Sequence, residues 1–341
     1  MQTAGLLDLQ ANGFAGVDFN DSRLTSDALD HALHAMLATG VTACLPTVIT
    51  APEDVMAARL AALDRAAAGS RLARLMVPGY HLEGPFLNPA PGYAGCHPPA
   101  AMTLPDPGLL QRLAAGLERP VLLLTLAPER PGAVELIRWA RGRGMLVAMG
   151  HSAADAASVT AAADAGVRLS THLGNALPQM QPKFLNPLMA QLAEDRLAAS
   201  FIADGIHIPP PALKVLLRAK GLERSVLVTD ATAAAAAAPG LFGFAGMAIE
   251  RAADGSVRAA GNERLAGSGL CLDQAVRNLV AWGIAPAATA IRLASDQPAS
   301  LLASALAAHD ARLVAGTVTW SPELGPTLVC LDAIELRPGV G

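Results

Sequence analysis

Short runs rich in Val, Leu and Ile recur along the chain, each followed by a segment whose apolar residues return every three or four positions. The runs lie at 5–13, 41–49, 75–84, 121–129, 145–152, 168–176, 198–207 and 225–232. Between them, 26–39, 52–68, 132–143, 153–165 and 210–220 carry amphipathic helix spacing. Eight strands alternating with helices predict an α/β fold, a closed parallel (β/α)8 barrel of the TIM type. The runs are apolar throughout rather than alternating, as strands covered on both faces should be. The rival is an open doubly wound sheet, but no glycine-rich phosphate loop opens any of the helices.

After the eighth run the pattern changes. Positions 233–238 are all alanine, a spacer to which the sequence assigns no conformation. Residues 241–260 alternate around Asp254-Gly255 and predict a hairpin. Helices are expected over 269–282 and 287–307, and strands outside the barrel over 313–319 and 327–336. No internal repeat and no long linker divides the chain.

Composition sharpens this reading. At 341 residues, 52% hydrophobic and 16% charged, the chain can bury a large core. A net charge of −4, with Lys and Arg scattered singly, offers no footprint for nucleic acid or an anionic membrane. The uncharged stretch 231–249 is broken by Pro239 and by glycines, so it predicts a loop and not a membrane span. Cys44, Cys96, Cys271 and Cys330 form no C-x-x-C, and no basic region precedes Asp8. Reduced thiols and a cytoplasmic location follow.

Polar and ionisable residues gather at one place in the runs, the C-terminal end. The third run ends His81-Leu82-Glu83, the fifth Gly150-His151-Ser152, the seventh Asp204-Gly205-Ile206-His207 and the eighth Thr229-Asp230, while the sixth carries Thr171-His172. Barrel enzymes build their sites on that rim from several strands. Buried charges are costly unless paired or metal-bound, and two imidazoles with a carboxylate suit a catalytic Zn²⁺ with one open position. Glu83, His151 and His172 are therefore the expected ligands of one divalent metal ion. Asp230 is the expected general base and acid, with His97 and His207 as donors to a polarised carbonyl or to sugar hydroxyls. His81 shares the face of Glu83 one pleat deeper, which predicts a supporting role. His31, His34 and His309 lie away from the rim.

The segments H-L-E-G-P-F (81–86), G-x-H-P (95–98), T-L-A-P-E (125–129), G-H-S (150–152), T-H-L-x-N-A (171–176), A-D-G-I-H (203–207) and V-T-D-A-T (228–232) resemble, in order and spacing, the N-acetylglucosamine-6-phosphate deacetylases of the amidohydrolase superfamily. A-G-S-G-L (266–270) and V-R-N-L-V (276–280) extend the resemblance to about 8–300. It implies a metal-dependent hydrolysis that frees acetate from N-acetylglucosamine 6-phosphate. Glu83, His151 and His172 would bind the metal, Asp230 would be the base, and His97 would stabilise the oxyanion. His207 and Asn175-Ala176 would bind the sugar or its phosphate, and the protein would be a homodimer. It also implies a small β-sandwich from the chain ends, here reduced to 1–7 and 310–341 beside a barrel of 8–309.

Two departures bear on function. Where many relatives have His-x-His on the first strand for a second metal, this chain has Gln10-Ala11-Asn12, so a single ion is expected. Where the family often carries Arg-Glu-Pro-Gly, this chain has Pro182-Lys183-Phe184-Leu185, leaving Lys183 as a point-charge contact to phosphate. An unphosphorylated N-acyl amino sugar is thus the alternative substrate. A third reading, a non-catalytic sugar-binding barrel, has no use for a base at Asp230.

Overall fold

The computed structural model describes residues 1–339, so the last two positions of the expected 310–341 unit lie outside it. Eight parallel strands form the barrel: β1 (Leu6–Ala11), β2 (Val41–Ile49), β3 (Tyr80–Glu83), β4 (Val121–Leu126), β5 (Leu146–Met149), β6 (Leu169–Ser170), β7 (Ala198–Ile202) and β8 (Ser225–Val228). They neighbour one another in chain order. The barrel closes where Ala11 bridges Ala231 and Asp230 N–H donates to the Gln10 carbonyl at 3.0 Å. Asp8, buried in β1, reinforces that seam by accepting from the Thr229 N–H at 3.2 Å. Burial pushes its carboxyl up to about 7.

Every residue of β1, β2, β4, β5 and β8 is buried, which is why these runs are continuous in Val, Leu, Ile and Ala. The flanking helices begin where short polar side chains cap them. Thr25 accepts from Ala28 N–H, Asp155 from Ser158 N–H and Asn186 from Met189 N–H. Helix Asp296–Ala308 packs against β1, β4, β5 and β8 at the N-terminal end of the barrel. Among the described residues no helix is long and apolar enough to cross a membrane.

Several expected elements resolve differently. The run at 75–84 opens in a short helix, Ala73–Met76, before β3 begins at Tyr80. The helix expected over 287–307 is two, Ala287–Ala294 and Asp296–Ala308, broken at Ser295 (φ −132°, ψ −83°). Asp254-Gly255 does turn a hairpin, but the sheet has three strands, Gly240–Phe244, Met247–Arg251 and Val257–Ala259, because Ala245-Gly246 makes an earlier turn. The alanines at 233, 234 and 235 are at most 1% exposed. Their small side chains let the chain lie flat against the barrel mouth.

The chain ends meet in one four-stranded antiparallel sheet, Gln2–Ala4 with Gly316–Trp320, Pro326–Leu331 and Ile334–Leu336. Val318, Trp320, Val329 and Leu331 join the main core, so the barrel supplies the layer that a second sheet of a sandwich would.

Candidate metal and active site

The rim residues owe their direction to the backbone. His151, His172 and Asp230 each sit two positions past a barrel strand in left-handed conformation, with φ of 51°, 32° and 51°. Non-glycine residues enter this region at a cost, and such strain collects at functional sites. Here it turns each side chain back over the barrel axis. Gly84 (φ 89°) follows Glu83 where a Cβ would collide with Thr50.

Glu83 stands at the centre of the cluster, 2% exposed. Its Oε1 lies 2.8 Å from His172 Nε2 and 3.3 Å from His151 Nε2, and its Oε2 lies 3.5 Å from His97 Nε2. Burial would push its carboxyl up, but the imidazoles of His151, His172 and His97 hold it well below the usual range. Glu83, His97 and His151 present ligand atoms all within 4.8 Å of one another. His172, expected as a ligand, stands outside that triad yet makes the shortest contact to Glu83, so the cluster holds four potential donors where three were expected.

The nitrogens are oriented for binding. His151 Nδ1–H donates to the Tyr93 carbonyl at 2.8 Å, which leaves the Nε2 lone pair facing Glu83. His172 Nδ1 is buried without a partner. Burial, then its positively polarised neighbour His151, lowers His97 to about 4, so its ring is neutral. The Thr50 hydroxyl lies 3.0 Å from His97 Nδ1 and 3.1 Å from the Glu83 carbonyl, with one proton for two acceptors. When Thr50 donates to Nδ1, His97 carries its own proton on Nε2 and can donate toward the cavity. A buried carboxylate ringed by three imidazoles is a donor set that fits a divalent ion.

Asp230 completes the group. Gln10 Nε2–H donates to its Oδ1 at 3.0 Å and Asn12 Nδ2–H to the same oxygen at 2.7 Å. Gln10 also donates to Glu83 Oε1 at 3.2 Å. Burial and the charge of Glu83 raise the Asp230 carboxyl above the usual value. The two amides thus aim N–H donors at Asp230, while Asn12 Oδ1 is buried without a partner.

Supporting contacts come from deeper and from neighbouring loops. His81 is fully buried beneath Glu83, 2.8 Å from Thr125 Oγ1, and burial lowers it to about 4. Glu129 accepts from Asn88 Nδ2–H, Ser152 Oγ–H and Ala153 N–H, which ties the T-L-A-P-E and G-H-S segments together beside His151. Asp204 accepts from His207 Nδ1 at 2.6 Å; burial would raise its carboxyl, but this bond and those from the His207 and Ile206 N–H groups together keep it low. His207 thereby turns Nε2 to the cavity.

The structure brings Glu83, His97, His151, His172, Asn175, Ala176, His207 and Asp230 to the walls of one cavity of about 720 Å³. Lys183 is the exception. It is exposed in a loop where Asn186 donates to the carbonyls of Pro182 and Lys183 while capping helix Pro187–Ala193. Within one chain it does not line the cavity. A wider cleft of about 900 Å³ lies at the opposite end of the barrel. It holds none of these residues, and its Arg196 and Arg224 are already paired with Asp164, Glu194, Asp195 and Glu223. Chemistry, not size, chooses the smaller cavity.

Sequence reasoning missed Thr50, Asp204, Arg258 and Arg264, and gave Gln10 and Asn12 no positive role. The pair Asp204-x-x-His207 was readable, since an Asx turn places such groups together. The arginines carried no signal, because a hairpin brings them over the rim.

No family model matches the chain. It is 35% identical over 298 residues to an N-acetylgalactosamine-6-phosphate deacetylase of Escherichia coli O157:H7, a match spanning 87% of this chain and 76% of that one. It is 34% identical over 312 residues to an N-acetylglucosamine-6-phosphate deacetylase of Bos taurus, covering 87% and 73%. The N-acetyl-D-glucosamine-6-phosphate deacetylase of Mycobacterium smegmatis, solved with N-acetyl-D-glucosamine-6-phosphate, superposes with a TM-score of 0.85 at 30% identity, covering 98% of this chain and 86% of that one.

Proposed function

The chain belongs to the N-acetylglucosamine-6-phosphate deacetylase family, and on that footing we propose that it hydrolyses the N-acetyl group of an N-acetylhexosamine 6-phosphate. The products are acetate and the free amino sugar phosphate. The observation that carries the reading is a carboxylate, Asp230, in one cavity with a Glu–His cluster.

We assign Glu83, His151 and His172 as ligands of one divalent ion, Zn²⁺ by the chemistry of its donors. The ion would polarise the acetyl carbonyl and acidify the attacking water. Gln10 and Asn12 occupy Asp230 Oδ1, which leaves Oδ2 to accept a proton from that water as its oxygen bonds to the acetyl carbon. His97 Nε2–H donates to the carbonyl oxygen as negative charge builds there. Asp230 then passes its proton to the nitrogen as the C–N bond breaks. His207 and the backbone at Asn175-Ala176 hold the sugar and its phosphate. With amides at the second-metal position, metal analysis should find about one ion per chain, and two tightly bound ions would contradict the assignment.

Supplying the metal-loaded protein with phosphorylated and unphosphorylated N-acetylglucosamine tests the reading. Acetate should be released from both, faster from the phosphorylated sugar. Absence of acetate from both would turn the test to the N-acetylgalactosamine epimers, and failure there too would leave only the binding-protein reading.

We also infer a homodimer in a reducing, cytoplasmic compartment. Supporting this, Met180, Phe184 and Leu185 are 89%, 75% and 88% exposed in one loop, an apolar patch suited to a second copy. All four cysteines are unpaired. Phe184→Asp with Leu185→Asp should yield a monomer by light scattering, whereas an unchanged mass would place the interface elsewhere. In this reading residues 8–309 form the catalytic barrel, with 1–7 and 310–341 as its small β unit.

A further inference from the structure

We propose that Ser268 is a positioning residue for Asp230: it clamps the backbone on both sides of the base and so fixes where the free oxygen of that carboxylate points. The proposal rests on the deacetylase reading above and gives the A-G-S-G-L segment at 266–270 its part in that reaction. Asp230 holds φ 51°, a conformation that a residue with a side chain keeps only when its surroundings over-determine it. The peptide groups of Thr229, Asp230 and Ala231 show what does so.

Ala231 bridges Ala11 on one side and Ser268 on the other, so the turn has two edges. β1 holds the first. Thr229 N–H donates to Asp8 Oδ1 at 3.2 Å, Asp230 N–H to the Gln10 carbonyl at 3.0 Å, and the Ala231 carbonyl accepts from Asn12 N–H at 2.7 Å. Ser268 holds the second. Its hydroxyl donates to the Thr229 carbonyl at 2.6 Å and its N–H to the Asp230 carbonyl at 2.9 Å. Leu270 N–H donates to the same hydroxyl oxygen at 3.1 Å, which turns the hydroxyl proton toward Thr229. Ser268 and Thr229 are each 1% exposed, so water has little access to replace a lost bond.

The clamp is itself anchored. Gly267 (φ 62°) lets the segment come this close, since a Cβ there would collide with Thr232 Cγ2 and lie 3.0 Å from the Asp230 carbonyl oxygen. Thr232 N–H donates to the Ser268 carbonyl at 3.0 Å. Helix Leu272–Ala281 follows directly, with Leu272, Ala275, Val276 and Leu279 in the main core. From that helix Asn278 Nδ2–H donates to the Ala203 carbonyl at 2.8 Å, just past β7. The V-R-N-L-V segment at 276–280 thus ties the clamp to the barrel. Without the Ser268 hydroxyl, the peptide plane between Thr229 and Asp230 can tilt. The Asp230 side chain, held through Oδ1 by Gln10 and Asn12, then turns Oδ2 off the attacking water.

The test measures acetate release, bound metal and Tm for the wild type, Ser268→Ala, Ser268→Cys, Asp230→Asn, the Ser268→Ala/Asp230→Asn double variant and Ser225→Ala. Ser225 opens β8, is fully buried, and its hydroxyl donates to the Gly221 carbonyl at 2.8 Å. Its loss removes a like bond at the far end of the same strand. Ser268→Ala should lower kcat roughly ten- to a hundredfold with KM and metal content near those of the wild type. Ser225→Ala should lower Tm by a similar amount and leave kcat unchanged. Ser268→Cys, a weak donor of similar shape, should fall between Ser268→Ala and the wild type, and it carries the comparison should Ser268→Ala not fold. On top of Asp230→Asn, Ser268→Ala should cost about threefold or less, because its effect runs through the base. Wild-type kcat in Ser268→Ala, an equal loss in Ser225→Ala, a loss that tracks the metal, or a full loss on top of Asp230→Asn would each overturn the proposal alone. A wild type that releases no acetate from N-acetylglucosamine 6-phosphate or its galactosamine epimer would refute the deacetylase reading, and this proposal with it, before any variant is made.

Discussion

Asp230→Asn should lower kcat by about two to four orders of magnitude while KM and metal content stay near those of the wild type. Asparagine keeps the volume, and its Oδ1 can still accept from Gln10 and Asn12, which hold the present carboxylate at 3.0 and 2.7 Å. What changes is the second atom. Oδ2 becomes an NH₂ group that donates but cannot accept, so the attacking water has no place to leave its proton and the departing nitrogen has no donor. Removing Gln10 or Asn12 should act more weakly, since each only orients the base. Steady-state kinetics with metal analysis reads the split between kcat and binding. Turnover at the wild-type rate would reduce Asp230 to a structural residue of the barrel seam.

His172→Ala should release the metal and abolish acetate formation, whereas His97→Ala should keep the metal and lose about a hundred- to a thousandfold in kcat. The contrast matters because the cluster offers two ligand sets. Glu83, His97 and His151 form the tighter geometric group, yet His172 approaches Glu83 most closely, at 2.8 Å, and stands with His151 on the ends of barrel strands. Ligands on rigid strands are held more accurately than those on loops, and His97 lies on the loop after β3. With Thr50 donating to its Nδ1, His97 presents Nε2–H, as suits a donor to a developing oxyanion. Both variants should stay folded by circular dichroism, because the core is spread over the whole barrel. His172→Ala should unfold at a lower temperature only by the loss of ion binding. If His97→Ala loses the ion and His172→Ala keeps it, the ligand set is Glu83, His97 and His151.

The barrel was legible in the sequence because parallel strands buried on both faces must be continuously apolar, and eight such runs alternated with amphipathic segments. β2 coincides with its run at 41–49, and helix Pro210–Lys220 with its segment at 210–220. The break at Ser295 was not legible, since both helices around it share one spacing and only packing against the strands bends the chain there.

At the site the same line divides what the sequence determines from what the tertiary structure decides. Glu83, His151, His172, His207 and Asp230 could be named because each lies at or near the C-terminal end of an apolar run, a purely local signature of a polar group at a strand terminus. What each of these side chains touches was beyond local pattern. Asp230 meets Gln10 and Asn12 across 220 and 218 residues, and Arg264 meets Gly95 across 169. No periodicity encodes such contacts. Closure of the barrel makes the first pair neighbours, and a hairpin folded over the mouth makes the second. Lys183 shows the converse: a charge at a suitable place in the sequence stands exposed in the loop that Asn186 closes, outside the cavity of its own chain. Residue type and position along a strand are written in the chain. Which side chains share an oxygen atom follows only from how distant segments close on one another.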